Sequence, residues 1–119
     1  MARIDKYDPV SGGYRAPLGF TPVLSEVGDV IAVKLDGNGR VIKSTDAVCR
    51  GVICLSSLLN LADKVDVMTS GEIVDVEGLD AGTDYTAAAA GALAEGTGVG
   101  WTVEAWRLVV RVAVGVEAA

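Results

Sequence analysis

The chain has 119 residues, a mass of 12.2 kDa and a formal charge of -6, values that fit one domain, or one domain with a tail, better than two. Sixteen acidic against ten basic residues argue against binding to a phosphate backbone, and the lack of histidine removes the commonest general base and the usual transition-metal ligand. We therefore expect no nucleic-acid partner, no metal site, no cofactor and no enzymatic activity.

Composition also bounds the fold and the cellular location. Nineteen valines and fifteen glycines favour pleated, half-buried strands over helices, because β-branched side chains are stiff and pack well on a sheet. The longest apolar stretch, residues 87–94, is far shorter than the roughly 20 residues that a membrane span needs. The charged start of the chain has no apolar segment typical of a secretion signal. We expect a cytoplasmic protein without a membrane partner.

Residues 1–24 differ in composition from residues 25–119. They hold every proline of the chain together with Tyr14 and Phe20, and they carry a net charge of +1 against -7 for the remainder. Proline disfavours helix and removes a ladder donor, so this segment is predicted to be an extended arm. Its aromatic side chains gain by burial, which indicates that the arm lies along a neighbour or folds back on its own body. An ordinary first strand and loop is the alternative.

From residue 25 onward, short apolar runs alternate with turn signals. The clearest hairpin joins Val30–Leu35 to residues 40–44 through Asp36-Gly-Asn-Gly39, with Ile31, Val33 and Leu35 facing inward and Ala32 and Lys34 facing out. Residues 48–55 carry hardly a charge, as expected for a strand that is covered on both faces.

The second half of the chain contains two further predicted hairpins. One joins residues 65–70 to residues 72–76 through Gly71, and the other joins residues 99–104 to residues 108–114, where alternate apolar residues share a face. The fold class is therefore predicted to be all-β. The architecture is a small β-barrel or sandwich built of hairpins, with a 1–24 arm and a 25–119 β-rich domain.

Lys64 suggests an alternative function. A lysine that follows an aspartate near a hairpin is typical of lipoyl and biotinyl carrier domains, so a carrier or small-ligand β-barrel domain is the second hypothesis. In those domains the lysine lies at the tip of a hairpin, whereas Lys64 begins a predicted strand well before the turn at Ser70-Gly71. A solvated lysine beside a strand explains the same pattern.

An ordered series of segments resembles the small head decoration proteins of tailed bacteriophages, over about three-quarters of the chain. Each segment combines a turn glycine with strand residues, and the likeness depends on their order. The segments are Gly28-Asp-Val-Ile-Ala-Val33, Arg50-Gly-Val-Ile53, Val65-Asp-Val-Met-Thr-Ser-Gly-Glu-Ile-Val-Asp-Val76, Gly78-Leu-Asp-Ala-Gly-Thr83, Gly91-Ala-Leu93, Val99-Gly100 and Arg107-Leu-Val-Val-Arg-Val112.

This resemblance implies a structural virion protein that is made in the host cytoplasm. Such a protein forms a homotrimer on the outer surface of the capsid and cements neighbouring major capsid subunits. A positive mean hydropathy of +0.41 in so small a chain also favours burial between copies or against a partner. Aromatic residues and arginine are enriched among interface anchors, so the predicted contacts are Tyr14, Arg15 and Phe20 on the arm and Trp101 and Trp106 in the body. Either tryptophan is equally compatible with the core.

Overall fold

The computed structural model describes residues 12–112, in which nine strands form one antiparallel sheet that curls into half a barrel. No helix in this part of the chain has the length and apolar character that a membrane crossing requires. The all-β prediction is confirmed. Two 3₁₀ turns cover Leu24–Glu26 and Ala89–Gly91. The strands are β1 (Gly12–Pro17), β2 (Val30–Leu35), β3 (Val41–Lys43), β4 (Gly51–Cys54), β5 (Lys64–Val74), β6 (Asp84–Ala87), β7 (Leu93–Glu95), β8 (Gly100–Thr102) and β9 (Arg107–Arg111).

The strand β5 is the centre of the sheet. Neighbouring strands follow the order β3-β2-β4-β5-β9-β8-β6-β7, and β1, which is outside this order, pairs with β5. Ser70 of β5 pairs with both Gly12 of β1 and Arg111 of β9. Because a strand residue has one neighbour on each side, β1 and β9 lie on opposite edges of β5.

The predicted first hairpin is present as β2 and β3. A carboxylate oxygen of Asp36 accepts hydrogen bonds from the backbone N–H groups of Asn38 at 2.8 Å and Arg40 at 2.9 Å. The same two bonds hold the pKa of Asp36 below its usual value. Gly39 has a φ of +76°, which glycine adopts without a steric penalty. The turn chemistry that was read from the sequence therefore forms this hairpin.

The predicted solvent face of β2 is wrong at Ala32. Ile31 and Val33 are buried on one face as expected, but Ala32 is also fully buried on the other face, and Leu35 is exposed. Two hydrophobic cores cover the two sides of β2 and β4. One contains Ala16, Leu18, Ile31, Val33, Val41, Ile53, Leu55, Val65 and Val67, and the other contains Ala32, Cys49, Val52, Tyr85, Ala87, Val99, Leu108, Val110 and Val112.

The predicted hairpin at residues 65–76 is also wrong, because β5 runs through Gly71 without turning. The strand pairs with β1 over Lys64–Ser70 and with β9 over Ser70–Val74, and Gly71 has a φ of +142°. Partners that are distant in sequence therefore keep the chain extended where the local pattern suggested a turn. Val74, the last residue of β5, is exposed.

The last predicted hairpin is confirmed as β8 and β9. Leu108, Val110 and Val112 are buried on one face, as the alternation predicts, and Val114 lies outside the described residues. The alanine-rich segment before it forms the end of β6, a 3₁₀ turn and β7. Ser44 fixes this turn, because its carbonyl accepts from the Gly91 N–H at 3.0 Å and its hydroxyl donates to the Ala88 carbonyl at 2.7 Å.

The second half of the predicted arm packs on its own chain. β1 pairs with β5, and Leu18 is fully buried in the first core. A backbone N–H to carbonyl bond joins Leu18 to Asp63 at 2.8 Å, and another joins Ala62 to Leu18 at 3.0 Å. Residues 1–11 lie outside the described residues, and the division of the chain at residue 24 stays a prediction.

Candidate interaction surfaces

The β8–β9 hairpin presents Trp101 on the outer face of the sheet. Trp101 pairs with Val109 of β9, and its chain neighbours Gly100 and Thr102 are buried, so alternation directs its side chain outward. Trp101 is 40% exposed and Trp106 is 49% exposed, so neither tryptophan belongs to the core. A large exposed aromatic side chain is costly for a chain that has no partner for it.

An arginine links the turn of this hairpin to β5. Arg107 donates to the Glu104 carboxylate from Nε at 2.9 Å and from a terminal nitrogen at 3.0 Å, which is a bidentate pair. Its other terminal nitrogen lies 3.5 Å from the Glu72 carboxylate, and its guanidinium carbon lies 5.9 Å from the centre of the Trp106 ring. The Trp106 carbonyl accepts from the Val76 N–H at 3.0 Å. These contacts fix Arg107 beside Trp106.

We call the exposed group on this corner the tryptophan surface. Val103 and Val74 are both exposed. Both lie beside Arg107, because the Val103 N–H donates to the Arg107 carbonyl and Val74 pairs with Arg107 in the ladder. The sequence pattern indicates the tryptophans but not the other members, whose proximity depends on the pairing of β5 with β9. The surface consists of Val74, Trp101, Val103, Trp106 and Arg107.

The three predicted arm contacts lie elsewhere. The Tyr14 hydroxyl donates to the Arg50 carbonyl at 3.0 Å, and burial raises the pKa of Tyr14. Arg15 forms a surface ion pair with Asp66 at 2.8 Å, and Phe20 packs against the first core. Tyr14 and Arg15 pair with the first half of β5, whereas the tryptophan surface lies at the end of this strand. The predicted arm contacts and the tryptophan surface are therefore separate.

A second exposed apolar group, which the sequence analysis missed, surrounds the start of β5. Backbone hydrogen bonds join the segment after β1 to the loop between β4 and β5 at both ends. The bonds of Leu18 described above form one of these ties, and a bond from the Gly28 N–H to the Leu55 carbonyl at 2.9 Å forms the other. Four apolar side chains between these ties are at least half exposed, and Leu24 is 74% exposed. We call this group the aliphatic surface, and it consists of Val23, Leu24, Leu58 and Leu61.

The Lys64 side chain is exposed, but its position is not that of a carrier lysine. Lys64 is the first residue of β5 and pairs with Pro17, so it lies within a ladder and not at a hairpin tip. Lys64 lines a small cleft of about 200 Å³. A larger groove of about 540 Å³, which Lys64 does not line, lies between β1, β4 and β5, with Val52, Met68 and Ile73 among its apolar lining residues. Cys54 also lines this groove. Burial raises the pKa of its thiol, and the negative charge of Asp29 raises it further. A raised pKa disfavours the reactive thiolate.

Buried polar groups in residues 12–112 have structural partners. The Thr102 hydroxyl donates to the Asp80 carbonyl, and it accepts from the Thr83 N–H at 3.1 Å. No buried side-chain nitrogen or oxygen of the described chain lacks a hydrogen-bond partner. In the same range, no three histidine, cysteine, aspartate or glutamate side chains are grouped so as to hold a metal ion.

Comparison with known proteins identifies a similar fold in a bacteriophage. A chain from Mycobacterium phage Patience matches with a TM-score of 0.75 over 93% of this chain and 96% of that chain, at 19% sequence identity. No protein-family model matches the sequence, and no curated protein is significantly similar to it. At this identity the likeness shows a shared fold alone. The structural neighbour is a phage chain, in line with the resemblance read from the sequence, and membership of the decoration family stays a prediction.

Proposed function

We propose that the chain is a structural virion protein of a tailed phage, without enzymatic activity. In this proposal it binds the outside of the assembled capsid as a homotrimer and stabilises the contacts between major capsid subunits. The observation that carries the proposal is the fold shared with a phage chain over almost the full length of both chains. The ordered series of segments from Gly28 to Val112 supports the same class of protein.

The tryptophan surface supports a role in binding. Tryptophan and arginine are enriched among the few residues that dominate binding energy, and the outer strand face presents Trp101 and Trp106 beside Arg107. The ion pairs of Arg107 hold the surface in one geometry before a partner arrives, which reduces the entropy lost on binding. We infer that this surface contacts the major capsid protein.

The charge of the protein agrees with an outer position on the capsid. A net charge of -6 is unfavourable next to packaged DNA but favourable for solubility on the outside of a shell. A protein that binds the assembled lattice, and not the free subunits, stabilises the lattice by its binding free energy. Three copies in one trimer bind together through a raised effective concentration, so individually weak contacts give firm attachment.

Co-sedimentation with capsids tests this proposal. Recombinant protein is mixed with capsids assembled from the major capsid protein of its own source genome and is pelleted with them. We expect the wild-type chain to pellet with assembled capsids but to stay in solution with unassembled subunits. Protein that remains in the supernatant with capsids present, or a source genome without a major capsid gene, contradicts the proposal.

A double variant, Trp101→Ser with Trp106→Ser, tests the surface itself. A hot-spot side chain is worth about 2 kcal/mol or more, so the loss of even one of the two should lower capsid affinity about 30-fold, while the unfolding midpoint stays close to that of the wild type. Val48→Ser is the matched control, because Val48 is exposed but lies outside both apolar surfaces. Equal capsid affinity of the double variant and the control would exclude the tryptophan surface.

A further inference from the structure

The two apolar surfaces lie at opposite ends of β5. Lys64, the first residue of the strand, directly follows the loop that carries Leu58 and Leu61, whereas Val74, its last residue, belongs to the tryptophan surface. An extended strand of this length spans about 33 Å. This length is close to the full 34 Å extent of the molecule, so the two surfaces are treated as separate contacts.

The charges around the two surfaces also differ. Residues 72–77 and 101–107, which surround the tryptophan surface, contain four carboxylates and one arginine, for a net charge of -3. Residues 18–29 and 55–64, which surround the aliphatic surface, contain three carboxylates and one lysine, and Lys43 adds a second positive charge through its ion pair with Glu26. The net charge at the aliphatic surface is therefore only -1.

Contact between identical acidic chains is least unfavourable where their charge is lowest. Like charges that face each other across an interface oppose association, which disfavours the tryptophan surface as a contact between copies. Interfaces between identical subunits are also more apolar than other interfaces, and the large apolar side chains of the aliphatic surface are leucine and valine, with small polar residues such as Ser25, Ser57 and Asn60 exposed between them. A patch with a net charge of -3 and two tryptophans instead suits a partner of a different kind with a basic rim.

The aliphatic surface is held in place before association. The N–H of Val23 donates to the Glu26 carboxylate at 2.9 Å, and the N–H of Val27 donates to the Leu24 carbonyl at 3.1 Å, which closes the 3₁₀ turn. Pro22, immediately before this turn, is buried. Little backbone entropy is therefore lost when Leu24 is covered.

We propose that the aliphatic surface, formed by Val23, Leu24, Leu58 and Leu61, binds a second copy of this chain. This inference deepens the proposed function and rests on it for the trimer, because it assigns self-association to one end of β5 and capsid binding to the other. In a ring of three, each contact joins two different patches, so the Val23–Leu24 side of one copy meets the Leu58–Leu61 side of the next.

Analytical ultracentrifugation of charge variants tests this inference. The wild-type chain should sediment as a multiple of its 12.2 kDa mass, and Leu24→Glu or Leu58→Glu should sediment as a single chain at the same concentration. Val48→Glu is the matched control, with the same added charge on an exposed valine outside both surfaces, and it should keep the wild-type mass. A wild-type circular dichroism spectrum and a cooperative unfolding transition establish that each variant is folded, because dissociation by itself lowers the unfolding midpoint of an oligomer.

The outcomes separate this inference from the proposed function. A wild-type protein that sediments as a single chain, or Leu24→Glu and Leu58→Glu variants that keep the wild-type mass, overturns self-association through this surface, whether or not the protein pellets with capsids. Dissociation of both variants but not of Val48→Glu supports it. If the wild-type protein then fails to pellet with capsids, the capsid role is lost and the self-contact remains.

Discussion

At the scale of single residues, Glu26 supports the turn that presents the aliphatic surface. The hydrogen bond from Lys43 and the bond from the Val23 N–H hold the pKa of this carboxyl below its ordinary value of 4.5. The Glu26 side chain is only 16% exposed, and the Lys43 ammonium also lies 5.2 Å from the centre of the Phe20 ring. The three side chains join the turn to the edge strand β3.

Glu26→Gln should therefore change the pH dependence of stability. The folded pKa lies below the unfolded pKa, so the stabilisation is fully present above pH 4.5 and is lost as the pH falls through the folded value. At pH 7 the variant should be less stable by about 1 kcal/mol, because glutamine keeps the Val23 bond but loses the charge that faces Lys43. Urea unfolding from pH 7 to pH 3 measures this difference, which should shrink towards pH 3. A difference that does not vary with pH would contradict the account of Glu26.

At the scale of elements, β1 depends on close contact between Gly13 and β5. A Cβ atom at Gly13 would lie 2.0 Å from the Val67 carbonyl oxygen, which no side chain tolerates without a shift of the backbone. β1 leads directly to Leu18 in the first core, so displacement of the strand also disturbs that core. This contact explains why the chain has glycine at the start of β1.

Gly13→Ala should destabilise the fold through this contact. We expect a loss of about 2 kcal/mol in the free energy of unfolding, which is typical of overpacking in a fixed backbone. Gly37→Ala is the matched control, because a Cβ at Gly37 meets nothing within 4 Å, and its effect should stay within about 0.5 kcal/mol. Urea unfolding of both variants measures the contrast, and equal stability of the two would mean that β1 does not pack closely on β5.

The elements whose prediction is confirmed are those with a local signal, either turn chemistry or alternation of apolar residues. Asp36 and Gly39 specify the β2–β3 hairpin within a few residues, and the alternation from Leu108 onward specifies the buried face of β9. The continuity of β5 could not be predicted, because it depends on pairing with β1 and β9, which lie far away in the sequence. Ala32 was misplaced for the same reason, since the second layer that buries it comes from the end of the chain.

At the scale of the whole molecule, the fold places two surfaces of different chemistry at the two ends of one long strand. The sequence suggested interface roles for Trp101 and Trp106 but left a place in the core equally open, and only the pairing of β8 with β9 directs Trp101 outward. Leu58 and Leu61 lie in the loop between β4 and β5. Their proximity to Val23 and Leu24 depends on backbone hydrogen bonds between residues that are 27 to 45 positions apart in the sequence.

The same arrangement gives a polarity to the molecule. In the proposed function, the aliphatic end contacts copies of the chain and the acidic, tryptophan-bearing end contacts a different protein, and both can be occupied together, since β5 separates them. Under this proposal, self-association would multiply the number of capsid contacts per particle without competing for the same surface.

Electron cryomicroscopy of capsids saturated with the protein tests the central claim most directly. The account predicts additional density on the outer surface of the shell, divided into three copies of the chain around local three-fold positions, with the β8–β9 hairpin towards the capsid and the Leu24 and Leu58 side chains towards the neighbouring copies. Capsids without external density after saturation, or density on the inside of the shell, would contradict it.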